Sequence, residues 1–241
     1  MIISVSKLAR LWNVAPDGVI HVGAHLGEEA EAYEKNQWFP VLWIEAQEEL
    51  VIKLQGSLDN KKHSIINAAI SNKDDEVLEF KVSSNGQSSS LLNFGTHKKN
   101  YPDTVLSETV RVTTSTLSKI MRGRSGFNFI NLDIQGVELQ ALEGYQDRLA
   151  EIDWIYTEVN YEEVYQHCTQ IEDLDTFLEK MDFKRVSTRW CLGLGWGDAL
   201  YARKLEYSKK QRLLQCYDGL QWYLVEITKY PVRLIRRRLQ A

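Results

Sequence analysis

Gly18-Val-Ile-His-Val-Gly-Ala-His-Leu-Gly-Glu28 is an apolar, β-branched run that halts in a glycine-containing turn and passes directly into Glu28–Lys35, a stretch rich in Ala and Glu. That is strand, tight turn, helix. Upstream, Val5, Leu8, Leu11 and Trp12 recur at helical spacing and predict a short leading helix over 4–13 that ends near Pro16-Asp17-Gly18. Downstream the alternation repeats. Phe39–Glu45 reads as a second strand, Glu48–Leu58 as a helix and His63–Ile70 as a third strand. Phe127–Asp133, a helix from Val137 to Glu143, Trp154–Val159 and a helix from Ile171 to Met181 continue the pattern. Between them Val77–Val82 and Thr109–Thr113 read as strands, a helix runs from Thr116 to Arg122, and Ser83–Asn100 is a polar loop. Lys184–Trp190 and Asp198–Arg203 close the series as a hairpin at one sheet edge. Runs that are apolar on both faces belong to buried parallel sheets. Five such strands separated by helices predict a doubly wound α/β sheet in one domain over residues 1–203.

The chain has 241 residues, 44% of them hydrophobic and 10% aromatic, enough to build a core and too apolar for disorder. No stretch of about 18 uncharged apolar residues predicts a membrane span, and the N-terminus does not read as a secretory signal. Cys168, Cys191 and Cys216 form no CxxC pair, which favours a reducing compartment. The expectation is a soluble, cytoplasmic protein. The formal charge of −4 conceals an asymmetry: residues 204–241 carry nine Lys/Arg and three Asp/Glu. The acidic body is a poor match for nucleic acid, which needs a broad basic face.

In an open α/β sheet, ligands bind beyond the carboxyl ends of the strands. The first strand ends at Gly23-Ala-His-Leu-Gly27, where glycines allow close backbone approach. The second ends at Glu45, a carboxylate able to accept hydrogen bonds from both hydroxyls of a ribose. The G-x-G-x-x-G of a nicotinamide dinucleotide site is missing, since His25 and Glu28 stand where its second and third glycines belong. Glu28 and Glu29 would also repel a diphosphate, and no Walker-type loop is present. A nucleoside without phosphate fits better, and S-adenosylmethionine is one. The fourth strand ends at Asp133, followed by Gly136 and Glu138, and the fifth ends at Glu158 and Asn160. Three carboxylates therefore converge on one crevice.

Taken in order, His21–Glu28, Trp43-Ile-Glu-Ala46, Asn67–Ser71, Ser88-Ser-Ser-Leu91, Leu132-Asp-Ile-Gln-Gly-Val-Glu138, Leu142-Glu-Gly144 and Thr157–Asn160 resemble the FkbM family of S-adenosylmethionine-dependent methyltransferases. The resemblance runs over about residues 18–203. It implies a class I methyltransferase (Rossmann-like) sheet of order 3-2-1-4-5-7-6 with strand 7 antiparallel. It also implies methyl transfer to a hydroxyl, often on a sugar of a glycan, glycolipid or natural product. By the same resemblance, Gly23, Ala24, His25 and Gly27 line the methionine part and ribose, and Glu45 holds the ribose hydroxyls. Asn67 and Ala68 lie beside adenine, and Asp133 lies near the methionine amine. Many members carry Asp where this chain has His21, which reads here as a core histidine.

A hydroxyl is a weak nucleophile, so a general base is expected: Asp133 first, then Glu158 or His25. Metal assistance is the competing route, with Asp133, Glu158 and Asn160 as oxygen ligands for Mg²⁺. Tyr101, Trp190 and Trp196 are candidates to stack on a sugar, while His97 and His167 read as surface residues. The basic, amphipathic tail over 204–241 reads as a helix docking on the domain or a second subunit, or as a segment that touches anionic lipid. A different class of function remains open, a non-catalytic cofactor-binding module that partners a glycosyltransferase.

Overall fold

The computed structural model describes residues 2–59, 61–203 and Gln211. The expected tail at 204–241 lies outside the described residues apart from Gln211, whose amide donates to Leu11 O. A leading helix α1 (Val5–Trp12) buries Val5, Leu8 and Trp12 and ends at Asn13, whose φ of 54° turns the chain. Then come β1 (Val19–Val22), α2 (Ala30–Lys35), β2 (Val41–Glu45), α3 (Glu48–Ser57) and β3 (His63–Asn67). The second half contributes β7 (Phe129–Leu132), α6 (Glu138–Glu143), β8 (Trp154–Asn160), α7 (Ile171–Lys180), β9 (Phe183–Cys191) and β10 (Trp196–Arg203). These strands form one seven-stranded sheet in the order β3-β2-β1-β7-β8-β10-β9. Counting its strands alone, that order reads 3-2-1-4-5-7-6. The first five run parallel, and β10 is antiparallel to both β8 and β9.

Both faces of the sheet are covered, as the unbroken apolar runs require. Alternate residues of β1 and β2 feed separate cores. Ile20, Val22, Leu42 and Ile44 pack on one face with Ile130, Leu132 and Leu142. Val19, Val41 and Trp43 pack on the other with Phe129, Tyr156 and Leu200. Each fully buried side chain of this size contributes about 1.5–3 kcal/mol.

The third strand departs from expectation. Residues 63–70 do not form a single strand: β3 ends at Asn67, and Ala69–Ile70 form β4 of a second sheet. The chain changes partners at Ala68. The Ala68 N–H still donates to Glu45 O, but the Ser71 N–H donates to Ser115 O. The second sheet has the order β4-β6-β5, with β5 (Val77–Ser83) antiparallel and β4 parallel to β6 (Leu106–Ser115). Between β5 and β6 lies a loop containing α4 (His97–Asn100), and α5 (Leu117–Ile120) follows β6. This excursion brings residues 80–101 over the carboxyl ends of the parallel strands.

Candidate active site

Under that excursion lies a cavity of about 500 Å³. Its floor is the carboxyl edge of the sheet: His21–Gly23 after β1, Ile44–Gln47 after β2, Asp133–Gln135 after β7, and Glu158 on β8. Its roof is Asn85–Ser89, Leu91, His97, Tyr101, Tyr165 and Trp196.

One end is organised around Glu45, which is 5% exposed. One of its oxygens accepts the His25 N–H at 2.8 Å and the other the Gln47 N–H at 2.9 Å. Each oxygen keeps acceptor capacity for a ligand hydroxyl. Burial pushes this carboxyl above its usual range. Gly23 adopts φ 84°, and a Cβ there would sit 1.9 Å from Asp133 O, so only glycine lets the β1 and β7 turns meet. His25 is held at φ 45° while its Nδ1 lies 2.6 Å from Glu28 Oε1.

At the other end four carboxyl groups cluster without a Lys or Arg among the described residues that line the cavity. Gln135 bridges two of them, its Nε2 donating to Asp133 Oδ1 and, at 3.2 Å, to Glu158 Oε2. Asn160 Nδ2 donates to Glu158 Oε1 at 3.3 Å. Glu138, 1% exposed, accepts the Gly136 N–H. Asp198 accepts hydrogen bonds from the Tyr156 hydroxyl and the Ile2 N–H. Burial pushes Glu138 up to about 7 and Asp198 up to about 6. Burial and the repulsion of Glu138, Asp133 and Asp198 hold Glu158 well above a normal glutamate.

The roof is wired to this cluster. The Tyr165 hydroxyl donates to Gln135 Oε1 and stands in hydrogen-bonding reach of Ser88. Ser88 Oγ accepts from Asn85 Nδ2 and lies 3.1 Å from His97 Nε2. Gln135 itself adopts φ 58°, a left-handed position that costs a non-glycine residue about 1–2 kcal/mol and aims its amide between the carboxylates. On β1 itself, His21 is packed on Trp43 at 4.7 Å and touches Tyr33 and Asn131. Burial lowers it to about 4, so it is a neutral core histidine.

Of the eight residues expected to hold a cofactor, Gly23, His25, Glu45, Ala68 and Asp133 line the cavity, and Ala24, Gly27 and Asn67 do not. Ala24 is buried with its N–H on Ile44 O, and Gly27 abuts Leu54. Asn67 spends its amide on the carbonyls of Glu45 and Ala46, which fixes the β2 end from behind. Glu158 and Asp133 meet as expected, but nothing here supports their pairing with Asn160 as a Mg²⁺ site. Among the described residues no group of three His, Cys, Asp or Glu is placed to bind a metal. The Glu158 oxygens accept instead from the amides of Gln135 and Asn160. Trp190 packs edge-on against Tyr161 in the core and is absent from the cavity wall, whereas Tyr101 and Trp196 line it and bond to each other at 3.0 Å.

His97 is no surface residue: it is 4% exposed and stacked on Phe94 at 4.2 Å. Its neighbours Phe94 and Tyr101, three before and four after it, were the available signal. Asp198 was also missed, although an acid inside the apolar run Trp196–Ala202 marks a buried carboxyl. Gln135 and Tyr165 carry no such mark. His167 is exposed, as expected.

The structure resembles several solved methyltransferases at low sequence identity. Magnesium protoporphyrin IX methyltransferase from Synechocystis PCC 6803, solved with bound SAM, is 11% identical with a TM-score of 0.49, over 83% of this chain and 76% of that one. The ribosomal protein L11 methylase of Lactobacillus delbrueckii subsp. bulgaricus is 14% identical at 0.47, over 83% and 79%. TrmK of M. capricolum, in complex with S-adenosyl-homocysteine, is 8% identical at 0.46, over 84% and 70%. No curated protein sequence matches the chain. The model of the methyltransferase FkbM domain matches residues 21–185, a span that contains Gly23, Glu45, Asp133, Gln135 and Glu158. The chain belongs to the FkbM methyltransferase family.

Proposed function

We propose that this methyltransferase uses S-adenosylmethionine to methylate a hydroxyl of an uncharged acceptor, a sugar of a glycan, glycolipid or natural product. The observation that carries the reading is one cavity with Glu45 at one end and the Gln135-bridged pair Asp133–Glu158 at the other. The donor set suits the cofactor. Glu45 offers two oxygens to a ribose diol, Ala68 borders the adenine end, and the Asp133 carboxylate faces a cationic amino-acid tail. Acidic walls favour a sulfonium cation and disfavour a dinucleotide's pyrophosphate. When bound, S-adenosylmethionine supplies an electrophilic methyl group.

The protein's own residues do the rest. Gly23 and His25 shape the turn against which the cofactor lies. The roof over residues 85–101 excludes water, and Tyr101 and Trp196 present aromatic surface to a sugar face. The Asp133–Glu158 pair stands ready to take the hydroxyl proton as the new bond forms. His25, tied to Glu28 at the cavity wall, serves the cofactor turn. An acidic cavity whose described lining holds no Lys or Arg argues against phosphate-bearing acceptors, RNA included. Among the described residues no helix is long and apolar enough to cross a membrane, and Cys168 and Cys191 are free thiols, which suits a reducing cytoplasm.

The test pairs S-adenosylhomocysteine binding with transfer of tritiated methyl to a panel of neutral glycosides, glycolipids, nucleotide sugars and RNA. Label on a neutral hydroxyl, lost in Asp133→Ala, supports the reading. Label on RNA or protein, or no cofactor binding, overturns it. Binding without transfer to any acceptor would favour the module that partners a glycosyltransferase.

A further inference from the structure

Methyl transfer from sulfur to oxygen moves charge as well as a methyl group. The carbon–sulfur bond breaks with its electron pair left on sulfur, the carbon–oxygen bond forms, and the hydroxyl proton leaves. One positive charge therefore disappears from sulfur while one proton is set free in the same cavity. Resting on the reading above, we propose that Glu158 is the group that balances this exchange. It holds a proton before cofactor binds, releases it when the sulfonium arrives, and takes the acceptor's proton as the methyl leaves.

The geometry singles out Glu158 from its neighbours. It lines the cavity from near the carboxyl end of strand β8, 9% exposed. Acidic groups face it from three elements: Asp133 after β7, Glu138 on α6, and Asp198, its direct partner on β10. The groups with an N–H turned to it are neutral amides, Gln135 Nε2 and Asn160 Nδ2. Beyond Asp198, Arg189 occupies the next place in the β9 register and is partly exposed. The thiols of Cys168 and Cys191 and the Tyr165 phenol feel its charge and are themselves pushed upward. Asp133 differs, because the chain's positive amino end and the Gln135 amide both oppose the effect of its burial.

Asn160 provides an independent mark. The side chain is fully buried, its Nδ2 donates to Glu158 Oε1, and its Oδ1 has no partner. A half-turn of that amide exchanges the two atoms. Nδ2 then serves the ionised carboxylate, and Oδ1 accepts from the protonated acid. An orphaned acceptor beside a carboxyl is what a group with two working protonation states requires. Burial and three like charges raise the proton affinity of Glu158, and a cation placed beside it lowers that affinity again. In the product the sulfur is neutral, the affinity recovers, and the proton stays on Glu158.

The experiment is calorimetric titration of the full chain with S-adenosylmethionine and with S-adenosylhomocysteine near pH 7, each in buffers of different ionisation enthalpy. The two ligands share every group except the methyl on sulfur and its charge. The expected result is that S-adenosylmethionine releases about half to one proton more than S-adenosylhomocysteine, and that Glu158→Gln abolishes the difference. An infrared difference spectrum reads the same event without a variant: a protonated-carboxyl band is lost with the first ligand and kept with the second. Equal proton counts, or a difference that survives in a folded Glu158→Gln protein, overturn the proposal. Failure of both ligands to bind overturns the functional reading itself.

Discussion

Glu158 and Asp198 are directly opposed in the antiparallel register of β8 and β10, so two carboxyl groups occupy neighbouring places on one sheet face. Asp198 is anchored by Tyr156 and the Ile2 N–H, and its charge raises the proton affinity of Glu158. Asp198→Asn removes the charge while keeping a carbonyl acceptor. The variant should lower the Glu158 pKa and move the acid limb of the kcat profile down by about 0.5–2 pH units. A pH-rate profile with saturating cofactor reads this directly; an unmoved or upward-moving limb contradicts it.

Glu138 gives a stability prediction with a definite sign. Its folded pKa, about 7, lies above the ordinary glutamate value of 4.5, so the native state keeps a proton that the unfolded chain releases. Its contribution to stability is complete below about pH 4.5 and is lost as pH rises towards 7. Glu138→Gln retains an oxygen for the Gly136 N–H and has no charge to bury. The variant should be more stable than the parent at pH 8, by up to about 3 kcal/mol, with the gap closing towards pH 5. Urea denaturation at the two pH values measures it.

Tyr165→Phe deletes the hydroxyl that orients Gln135 and leaves the ring in place. Losing one buried hydrogen bond should cost about 1 kcal/mol of stability. With its amide freed, Gln135 no longer fixes the carboxylate pair, and kcat should fall about tenfold. Cofactor affinity at the Glu45 end should stay within about twofold, so calorimetry beside kinetics separates this from general damage.

Gly23→Ala should fail for two reasons: φ 84° disfavours any side chain, and the new Cβ would strike Asp133 O. The backbone penalty alone is about 1–2 kcal/mol. A thermal melt should show a large loss of stability or no soluble protein.

Legibility followed burial. The runs at 18–23, 39–45 and 127–133 announce parallel strands because both their faces meet helices, and each lies within two residues of its expected place. Gly23, Glu45, Asp133 and Glu158 were readable because a Rossmann-like sheet gathers ligands at strand ends, so position alone nominated them. The break at Ala68 was not readable: no Gly or Pro separates β3 from β4, and only the remote partner β6 divides them. His97 opens the short helix α4 and Tyr165 lies in a loop, and the path of both segments depends on long-range contacts such as the bridge between Phe94 and Tyr165. Gln135 was hidden for another reason. Its role comes from a left-handed backbone angle, which residue identity does not advertise outside Gly and Asn.

The change of partners at Ala68 also divides the cavity wall between two separate stretches of chain. Chain that departs there and rejoins at Phe129 furnishes much of the cavity roof, while Glu45, Asp133, Gln135 and Glu158 remain with the central strands. Grafting residues 71–126 from a relative should therefore change acceptor choice while leaving the carboxyl cluster in place, with the backbone bond from the Ser118 N–H to Gly144 O as a seam to preserve.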